Sequence, residues 1–271
     1  MNTPIALVTG GSRGIGRAIV ARLIQDGYQV VNFSRRPPDA LLPGETFRSV
    51  DLGDAAATRE AARELAAERR VLHLVNNAGM IQVANIEDVT EAELQRTLAL
   101  NLTAPVLLLQ ALLPAMREAK YGRVVNIGSR AALGKGGRTV YGASKAGLAG
   151  MTRTWALELA ADGITVNTVA PGPIATELFN QSNPPGQPKT LALEASIPVR
   201  RVCRWAWRAS TLPSAWGEAA YCGFHSRPSL DRKRPPVAQQ PPAPIAISPM
   251  MASTVWPSRL KDWRWQSMND G

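Results

Sequence analysis

Residues 5–16 read IALVTGGSRGIG, and residues 17–24 continue as RAIVARLI. The run at 5–8 is apolar, carries β-branched residues and stops at glycines, which is typical of a buried parallel strand. The second stretch has apolar residues at helical spacing. The sequence therefore predicts a strand, a glycine-rich turn and a helix, the unit from which doubly wound α/β sheets begin.

The glycine-rich turn at 9–16 is also a candidate phosphate site. Glycine allows a tight turn and a close approach of the backbone to a pyrophosphate, which then lies at the positive N-terminus of the helix. An ordinary glycine turn is the alternative, and the strand–turn–helix context disfavours it. We therefore expect a dinucleotide-binding fold.

Further strands and helices alternate along the chain after this unit. Such alternation is typical of a parallel sheet with helices on both faces, so we predict an α/β fold with a Rossmann-type doubly wound sheet in three α/β/α layers. The predicted strands after the first are 29–33, 46–50, 71–75, 124–129 and 165–169, and the long predicted helices are 55–69 and 91–116.

The residues after the second strand predict the choice of cofactor. Sites for NAD usually place an acidic residue there to bond the ribose 2′-hydroxyl. This chain instead has Ser34, Arg35 and Arg36. A guanidinium suits a 2′-phosphate through charge-assisted bonds, and Arg13 inside the glycine turn could reach the same group. The alternative is that these arginines are simply solvated; we predict NADP (NADPH).

The segment YGASK at 141–145 supplies the candidate chemistry, together with Ser129. Positions i and i+4 share one face of a helix, so Tyr141 and Lys145 would project side by side. A phenol has a reference pKa of about 10, and a neighbouring ammonium is expected to lower that pKa. Ser129 closes a predicted strand, where its hydroxyl could hold a substrate oxygen. A tyrosine four residues before a lysine is a weak pattern alone, so the other motifs decide its meaning.

Together these motifs resemble the classical short-chain dehydrogenase/reductase family. The shared features are TGGSRGIG at 9–16, NNAG at 76–79, Asn101, Ser129 and the YxxxK pattern, in this order and at these gaps. The likeness covers about residues 3–200, and jointly the motifs are highly specific. PGPIAT at 171–176 also resembles the family's segment after the sixth strand, which contacts the nicotinamide end of the cofactor.

The resemblance implies a role for each matching residue. Tyr141 would be the general acid in reduction and the base in oxidation, Lys145 would bond the nicotinamide ribose and lower the pKa of the tyrosine, and Ser129 would polarise the substrate carbonyl. Asn101 would hold a water that links Lys145 to solvent. The phosphates and adenosine would be lined by Gly10, Ser12, Arg13, Gly14, Ile15 and Gly16. The remaining cofactor contacts would come from Asp51, Leu52, Asn77, Ala78, Gly79, Pro171, Gly172, Ile174 and Thr176.

The resemblance also implies an oxidoreductase that transfers hydride between a nicotinamide and a carbonyl or secondary alcohol. The opening motif and the arginines after the second strand are most similar to 3-oxoacyl-[acyl-carrier-protein] reductases and acetoacetyl-CoA reductases, so we expect a 3-oxoacyl thioester as substrate. A sugar or secondary-alcohol dehydrogenase is the first alternative. A catalytically impaired nucleotide-binding remnant is the second.

Two segments are predicted on the substrate side. The family places its substrate loop at 177–199, and an apolar lid would be formed there by Leu178, Phe179, Leu191 and Leu193. Residues 130–138, RAALGKGGR, are basic and glycine-rich. Their cations either attract an acidic substrate, such as an acyl chain on acyl carrier protein, or are solvated.

Composition argues against several other classes of protein. The net charge is +10, but the last 71 residues hold ten of 31 Lys/Arg and four of 21 Asp/Glu, which places +6 of that charge in the tail. We therefore do not expect a nucleic-acid partner. Two histidines and two cysteines, widely spaced, form no metal-binding pattern.

No signal-like segment precedes the first strand at Ile5, and there is no run of about 18 apolar residues. We therefore expect a cytoplasmic protein without a membrane span. Its expected partners are a small-molecule or carrier-bound carbonyl substrate and further copies of the chain. In this family a dimer would form through the helices around 103–117 and 141–160, and a tetramer is the alternative.

The chain departs from the family's pattern between about Arg201 and Arg204. From there on it holds six of the seven tryptophans and both cysteines, and residues 234–244 read RPPVAQQPPAP. The family's acidic helix and seventh strand are not visible, so the last strand of the sheet is in doubt and no regular structure is expected of this tail. We expect a dinucleotide-binding catalytic domain at 1–200 and an atypical tail at 201–271. The tail is either a wrong reading frame or other foreign sequence, or a divergent segment that covers the active site or a partner.

Overall fold

A computed structural model of the 271-residue chain describes residues 3–174, 176–195 and 222–223. The chain divides into two units, residues 1–226 and 227–271, and every described residue belongs to the first. The interpretation of residues 201–271 as an atypical tail therefore lies outside the described residues, apart from Cys222 and Gly223.

The described residues build one parallel sheet in the order β3-β2-β1-β4-β5-β6-β7. Strands β2 and β3 follow on one side of β1, and β4 to β7 follow on the other, so the strand order reverses between β1 and β4. In such sheets, ligands bind outside the carboxyl ends of the strands at the reversal. The predicted doubly wound sheet is confirmed. Its strands are β1 Ile5–Thr9, β2 Gln29–Ser34, β3 Glu45–Ser49, β4 His73–Asn76, β5 Gly122–Ile127, β6 Ile164–Ala170 and β7 Cys222–Gly223.

The seventh strand, which the sequence left in doubt, is represented by two residues that pair with the end of β6. One predicted boundary needs correction: β5 ends at Ile127, so Ser129 does not close that strand. The hydroxyl of Ser129 instead accepts a hydrogen bond from the amide of Ala131 and caps a short 3₁₀ helix at Arg130–Leu133. A serine side chain can hydrogen-bond to nearby backbone amides, which competes with continuation of a strand.

Helices cover both faces of the sheet. They are α1 Gly14–Gln25, α2 Ala55–Glu68, α3 Glu91–Leu98, α4 Ala104–Glu118, α5 Thr139–Leu159, α6 Glu177–Ser182 and α7 Pro188–Ala195. Short 3₁₀ turns also occur at Ile86–Asp88 and Ala160–Asp162.

Strand β1 shows why this sheet needs two helical layers. Leu7 packs into a core cluster with residues of α2 and α4, whereas Ala6 and Val8 pack into a second cluster with α1. All three side chains are fully buried. Successive side chains of a strand point to opposite faces, so a strand that is apolar throughout must be covered on both sides.

The predicted helix at 91–116 is interrupted in the structure. A π-helical turn at Ala99–Thr103 separates α3 from α4. The stretch Glu91–Glu118 is the one described helix long and apolar enough to cross a membrane, with a mean hydropathy of 1.7 over its best window. Leu108, Leu112 and Met116 of this stretch are buried in the core.

Candidate active site

A cleft of about 1570 Å³ opens at the carboxyl ends of the strands, where the sheet order reverses. It brings together every predicted site residue except Asn101. Asn101 lies behind the wall of the cleft, because its Oδ1 would be 3.2 Å from a Cβ atom on Gly79. The structure therefore gathers the predicted site residues at one edge of the sheet, and their roles stay predictions.

The glycine turn after β1 requires glycine at specific positions. Gly10 and Gly14 have φ angles of +67° and +57°, which other residues rarely adopt. A Cβ atom on Gly16 would lie 2.0 Å from the carbonyl oxygen of Gly10 and 2.5 Å from Nδ2 of Asn77. Because these distances are far below van der Waals contact, the helix can approach the turn only with glycine at position 16.

The N-terminus of α1 faces the cleft with its amides free for an anion. The capping residue Arg13 has an extended backbone and forms no side-chain cap, and the first turn of α1 carries no acidic residue. The first amides of a helix have no partner within the helix and attract negative charge. This end of the cleft therefore fits a pyrophosphate.

Thr9, which sequence reasoning missed, holds the turn against the segment after β4 together with the predicted Asn77. The hydroxyl of Thr9 accepts hydrogen bonds from the amides of Asn77 and Ala78, both at 2.9 Å. The side-chain amide of Asn77 donates to the carbonyls of Thr9 at 2.9 Å and Gly10 at 3.1 Å. This network fixes the position of the turn without using the amides at the N-terminus of α1.

Asn32 is the second missed support, and it is fully buried in the middle of β2. Its Oδ1 accepts hydrogen bonds from the amide of Gly11 at 3.0 Å and the hydroxyl of Ser34 at 2.7 Å. Its Nδ2 donates to Glu45 at 3.0 Å. The sequence pattern that could have revealed this role is the asparagine within the largely apolar run QVVNF. A polar side chain in a buried strand normally has a hydrogen-bond partner in the fold.

The adenosine end of the cleft is formed at the ends of β2 and β3. Arg35 and Arg36 are exposed there, and neither forms an ion pair with another described residue. The backbone of Arg36 is held by the hydroxyl of Ser12 at 2.7 Å. Asp51 and Leu52 form the neighbouring wall, and Leu52 is buried. Two unpaired guanidinium groups at this position suit a phosphate.

Arg13, the third predicted phosphate ligand, is engaged elsewhere in the structure. Its guanidinium pairs with the carboxylate of Glu177 in α6 at 2.8 Å. Both side chains are more than half exposed. The pair links the glycine turn to the segment that the sequence predicted as the substrate loop.

The three residues of the candidate chemistry meet at the far end of the cleft. Tyr141 and Lys145 lie in the first two turns of α5, and the lysine Nζ is 5.8 Å from the centre of the tyrosine ring. Ser129 hydrogen-bonds the hydroxyl of Tyr141. The Nζ of Lys145 donates to the carbonyl of Ile127 at 2.8 Å. Tyr141 and Lys145 therefore lie side by side as predicted, and Ser129 lies beside the tyrosine hydroxyl.

The expected pKa shift of the tyrosine is wrong for this structure. Burial raises the pKa of Tyr141, and the Ser129 hydrogen bond and the charge of Arg138 offset only part of that effect. Lys145 does not contribute, since its ammonium turns to Ile127 and its own pKa is lowered by burial to about 8. An i,i+4 spacing shows which side chains are neighbours, but it does not show how dry their surroundings are.

Asn101 ties the loop after β4 to α5. Its Oδ1 accepts from the amide of Met80 at 3.0 Å, and its Nδ2 donates to the Met80 carbonyl at 3.1 Å and the Ser144 hydroxyl at 2.9 Å. The π turn that carries it was not predicted, and such turns occur frequently at functional sites. These bonds occupy the side chain, and the predicted water link to Lys145 stays a prediction.

The predicted substrate segments and the predicted cofactor segment at 171–176 form another wall of the cleft. Phe179 and Leu193 line the cleft, as do Pro171, Gly172, Ile174 and Thr176. Leu191 is wrongly predicted as part of the lid, because it is 53% exposed and does not line the cleft, and the side chain of Leu178 lies outside the description. The basic segment contributes Arg130, Lys135 and Arg138, and Arg96, Met80 and Ile81 were not foreseen.

Comparison with known proteins identifies relatives of this architecture. The short chain dehydrogenase family matches residues 4–186. The chain is 37% identical over 187 residues, 65% of its length and 75% of the relative's, to the (2S)-[(R)-hydroxy(phenyl)methyl]succinyl-CoA dehydrogenase subunit BbsD of Thauera aromatica. It is also 37% identical over 182 residues, 64% of its length and 75% of the relative's, to the 3-oxoacyl-[acyl-carrier-protein] reductase FabG of Escherichia coli K12.

A solved structure supports the same relationship. A Beutenbergia cavernae protein, assigned as an NAD(P)-dependent gluconate 5-dehydrogenase and crystallised with NADP at low occupancy, superposes with a TM-score of 0.68 at 32% identity. The alignment covers 74% of this chain and 84% of that one. The family match spans the glycine turn, Asn101, Ser129, Tyr141 and Lys145. The chain therefore belongs to the short chain dehydrogenase family and shares its oxidoreductase architecture.

Proposed function

We propose that this protein is an NADP-dependent oxidoreductase that interconverts a carbonyl and a secondary alcohol, with a 3-oxoacyl thioester as its preferred carbonyl substrate. The observation that carries this proposal is the meeting of Ser129, Tyr141 and Lys145 in the cleft opened by the glycine turn. The named activities of the relatives, on acyl-CoA and acyl-carrier substrates, support the thioester.

NADP fits the residues at the nucleotide end of the cleft. The free amides of α1 and the glycine turn would hold the pyrophosphate, while Arg35 and Arg36 would bind the 2′-phosphate. Asp51 and Leu52 would border the adenine, and residues 77–79 the ribose. NADP bound to the structural neighbour supports this choice. When bound, the nicotinamide supplies or accepts the hydride.

The side chains of the cleft would supply the proton and the polarisation. Because burial raises the pKa of Tyr141, its hydroxyl is protonated at neutral pH and can donate a proton to a carbonyl oxygen. Ser129, already bonded to that hydroxyl, would hold the same oxygen. Lys145, whose pKa burial lowers to about 8, would bond the ribose.

The shape of the substrate wall fits an acyl chain. Met80, Ile81, Phe179 and Leu193 line it with apolar surface, which can cover a chain that follows the carbonyl. Thr176 caps α6 through its hydroxyl and thereby orients the helix that carries Phe179. A sugar-acid dehydrogenase is the second candidate, favoured by the activity named for the structural neighbour.

The remaining assignments belong to the same proposal. We take residues 1–200 as the dinucleotide-binding catalytic domain, supported by the family match at 4–186. A homodimer through the outer faces of α4 and α5 is supported by Leu157, which is 83% exposed. A cytoplasmic location is consistent with the packing of α4 in the core.

The test is reduction of acetoacetyl-CoA by NADPH, with Tyr141→Phe as the variant. We expect turnover to fall by about 10²–10⁴-fold while the affinity for NADPH is little changed, because only the proton donor is removed. Tyr121→Phe is the matched control, since that hydroxyl contacts His73 at the opposite edge of the sheet. Equal turnover by Tyr141→Phe and wild type would refute the assigned chemistry.

A further inference from the structure

Arg138 is a buried cation in the wall of the cleft that the proposed chemistry does not use. It lies three residues before Tyr141, at the N-cap of α5, and is 7% exposed. Its side chain lines the same cleft as Ser129 and Tyr141. Its position at the start of α5, in the wall of the cleft that Tyr141 also lines, puts Arg138 at the reacting end of that cleft. Its charge favours the ionised form of the tyrosine hydroxyl.

The guanidinium of Arg138 has few partners for so buried a group. Its Nη1 donates to the carbonyl of Gly137 at 3.1 Å, and no carboxylate among residues 3–174, 176–195 and 222–223 pairs with it. Burial lowers the pKa of Arg138, which reflects the cost of holding the charge there. Buried charges are normally paired, because leaving one unpaired costs several kcal/mol.

Backbone hydrogen bonds on both sides of Arg138 fix the position from which its side chain enters the cleft wall. The carbonyl of Arg138 accepts from the amide of Gly142 at 2.6 Å. Its backbone forms a bridge with Ala84, whose amide donates to Gly137 at 3.3 Å. A preorganised arginine fork recognises a planar anion through two parallel hydrogen bonds.

None of the acidic residues that line the cleft pairs with Arg138, because each lies at the adenosine end or is already in an ion pair. Asp39 and Asp51 follow β2 and β3 at the adenosine end, and Glu177 is paired with Arg13. Lys135 lies in the same wall as Arg138 and adds positive charge. At the reacting end, two buried cations, Arg138 and Lys145, have no carboxylate partner among the described residues. The proposed chemistry gives Lys145 the cofactor ribose, so the charge of Arg138 remains for a ligand to neutralise.

We propose that Arg138 binds a carboxylate of the substrate, so that the carbonyl compound reduced in this cleft is an oxo acid. This inference rests on the proposed function and narrows its substrate class. The acid can be free or can be the second carboxyl of an acyl thioester, and the chemistry at Arg138 is the same in both. The carboxylate would anchor the substrate while Ser129 and Tyr141 hold its carbonyl oxygen.

Calorimetry tests the binding step without turnover. Wild-type protein saturated with NADP⁺ is titrated with levulinate and with its neutral methyl ester. We expect levulinate to bind roughly 10- to 100-fold more tightly, and Arg138→Gln to abolish that difference while leaving the ester unaffected. Arg138→Lys should keep part of it. Equal binding of acid and ester by the wild type would overturn the proposal.

Turnover with NADPH separates the two sources of carboxylate. The free pair is acetoacetate and methyl acetoacetate, and the thioester pair is 3-oxoadipyl-CoA and acetoacetyl-CoA. We expect Arg138→Gln to lower kcat/KM by roughly 10- to 100-fold for the carboxylate member of at least one pair and to leave the neutral member nearly unchanged. Arg63→Gln, an exposed arginine of α2, is the charge-matched control, and Lys135→Gln tests for non-specific attraction.

Two outcomes distinguish failure of this inference from failure of the proposed function. If neutral carbonyls are reduced and Arg138→Gln slows acid and ester equally, with a shifted pH profile, Arg138 acts only on the pKa of Tyr141 and the carboxylate proposal is wrong. If levulinate binds through Arg138 but NADPH reduces no carbonyl, the proposed function fails and the carboxylate site stands.

Discussion

Replacing Gly16 by alanine tests how the glycine turn and α1 are packed. The new Cβ atom would lie 2.0 Å from the carbonyl oxygen of Gly10, 2.7 Å from its carbonyl carbon and 2.5 Å from Nδ2 of Asn77. Cβ contacts below 3.0 Å are essentially never found, so α1 and the turn must separate by about 1 Å. Both oxygen and carbon belong to the backbone, so a rotamer change cannot relieve the overlap.

The magnitude follows from the contacts that such a shift disturbs. Overpacking costs about 1–3 kcal/mol, and the two hydrogen bonds from Asn77 to Thr9 and Gly10 contribute about 1 kcal/mol each. Alanine recovers about 1 kcal/mol through its helix propensity. We therefore expect the free energy of unfolding to fall by about 3 kcal/mol. The displaced helix N-terminus should weaken NADPH binding by about 100-fold.

Urea unfolding and fluorescence titration with NADPH measure the two effects. Gly150→Ala is the matched control, because Gly150 also lies in a helix and, outside its own stretch of helix, no described residue has an atom within 4 Å of its Cβ position. That variant should gain up to about 1 kcal/mol and bind NADPH as the wild type does. A Gly16→Ala protein with wild-type stability and NADPH affinity would refute the packing described for the turn.

Asn101→Ala removes three hydrogen bonds of a buried amide to Met80 and Ser144, so we expect urea unfolding to show a loss of about 2–4 kcal/mol, and a loss under about 1 kcal/mol would contradict that role. Glu177→Gln frees Arg13 from an exposed ion pair, so NADPH should bind several-fold more tightly at low salt with little change in stability, and weaker binding would count against Arg13 as a phosphate ligand. Burial lowers the pKa of His73 from 6.5 to about 4, so the unfolded state binds more protons between these values and the protein should lose up to about 3 kcal/mol of stability as the pH falls from 6.5 to 4. His73→Phe should flatten that slope, and identical pH profiles in denaturant titrations would show that His73 does not cause it.

Local patterns were enough to predict the sheet and which residues meet at the carboxyl ends of its strands. Strand β1 is apolar on both faces and ends at glycines, so its burial between helices could be predicted from residues 5–16 alone. The carboxyl ends of parallel strands meet at one edge, which brought the glycine turn, Asn77 and Ser129 together as expected. These features depend on spacing along the chain, which a sequence states directly.

Features that depend on contacts distant in sequence could not be predicted in this way. The π turn at Ala99–Thr103 follows from no local residue pattern that we recognised. The raised pKa of Tyr141 depends on how completely α5 and its neighbours exclude water. The burial of Arg138 and the pairing of Arg13 with Glu177 likewise arise only when segments far apart in the chain meet. The family resemblance implied roles for the matching residues, but it did not predict the π turn, the raised pKa or these two arginine environments.

Equilibrium binding of NADPH and NADH to the purified full-length protein tests the NADP site at the end of β2. We predict that NADPH binds at least about tenfold more tightly, a difference of about 1.4 kcal/mol, and that replacing both Arg35 and Arg36 by glutamine removes the preference. Tighter binding of NADH would contradict the role of the two arginines. Binding of neither nucleotide would contradict both the dinucleotide site and the proposed oxidoreductase function.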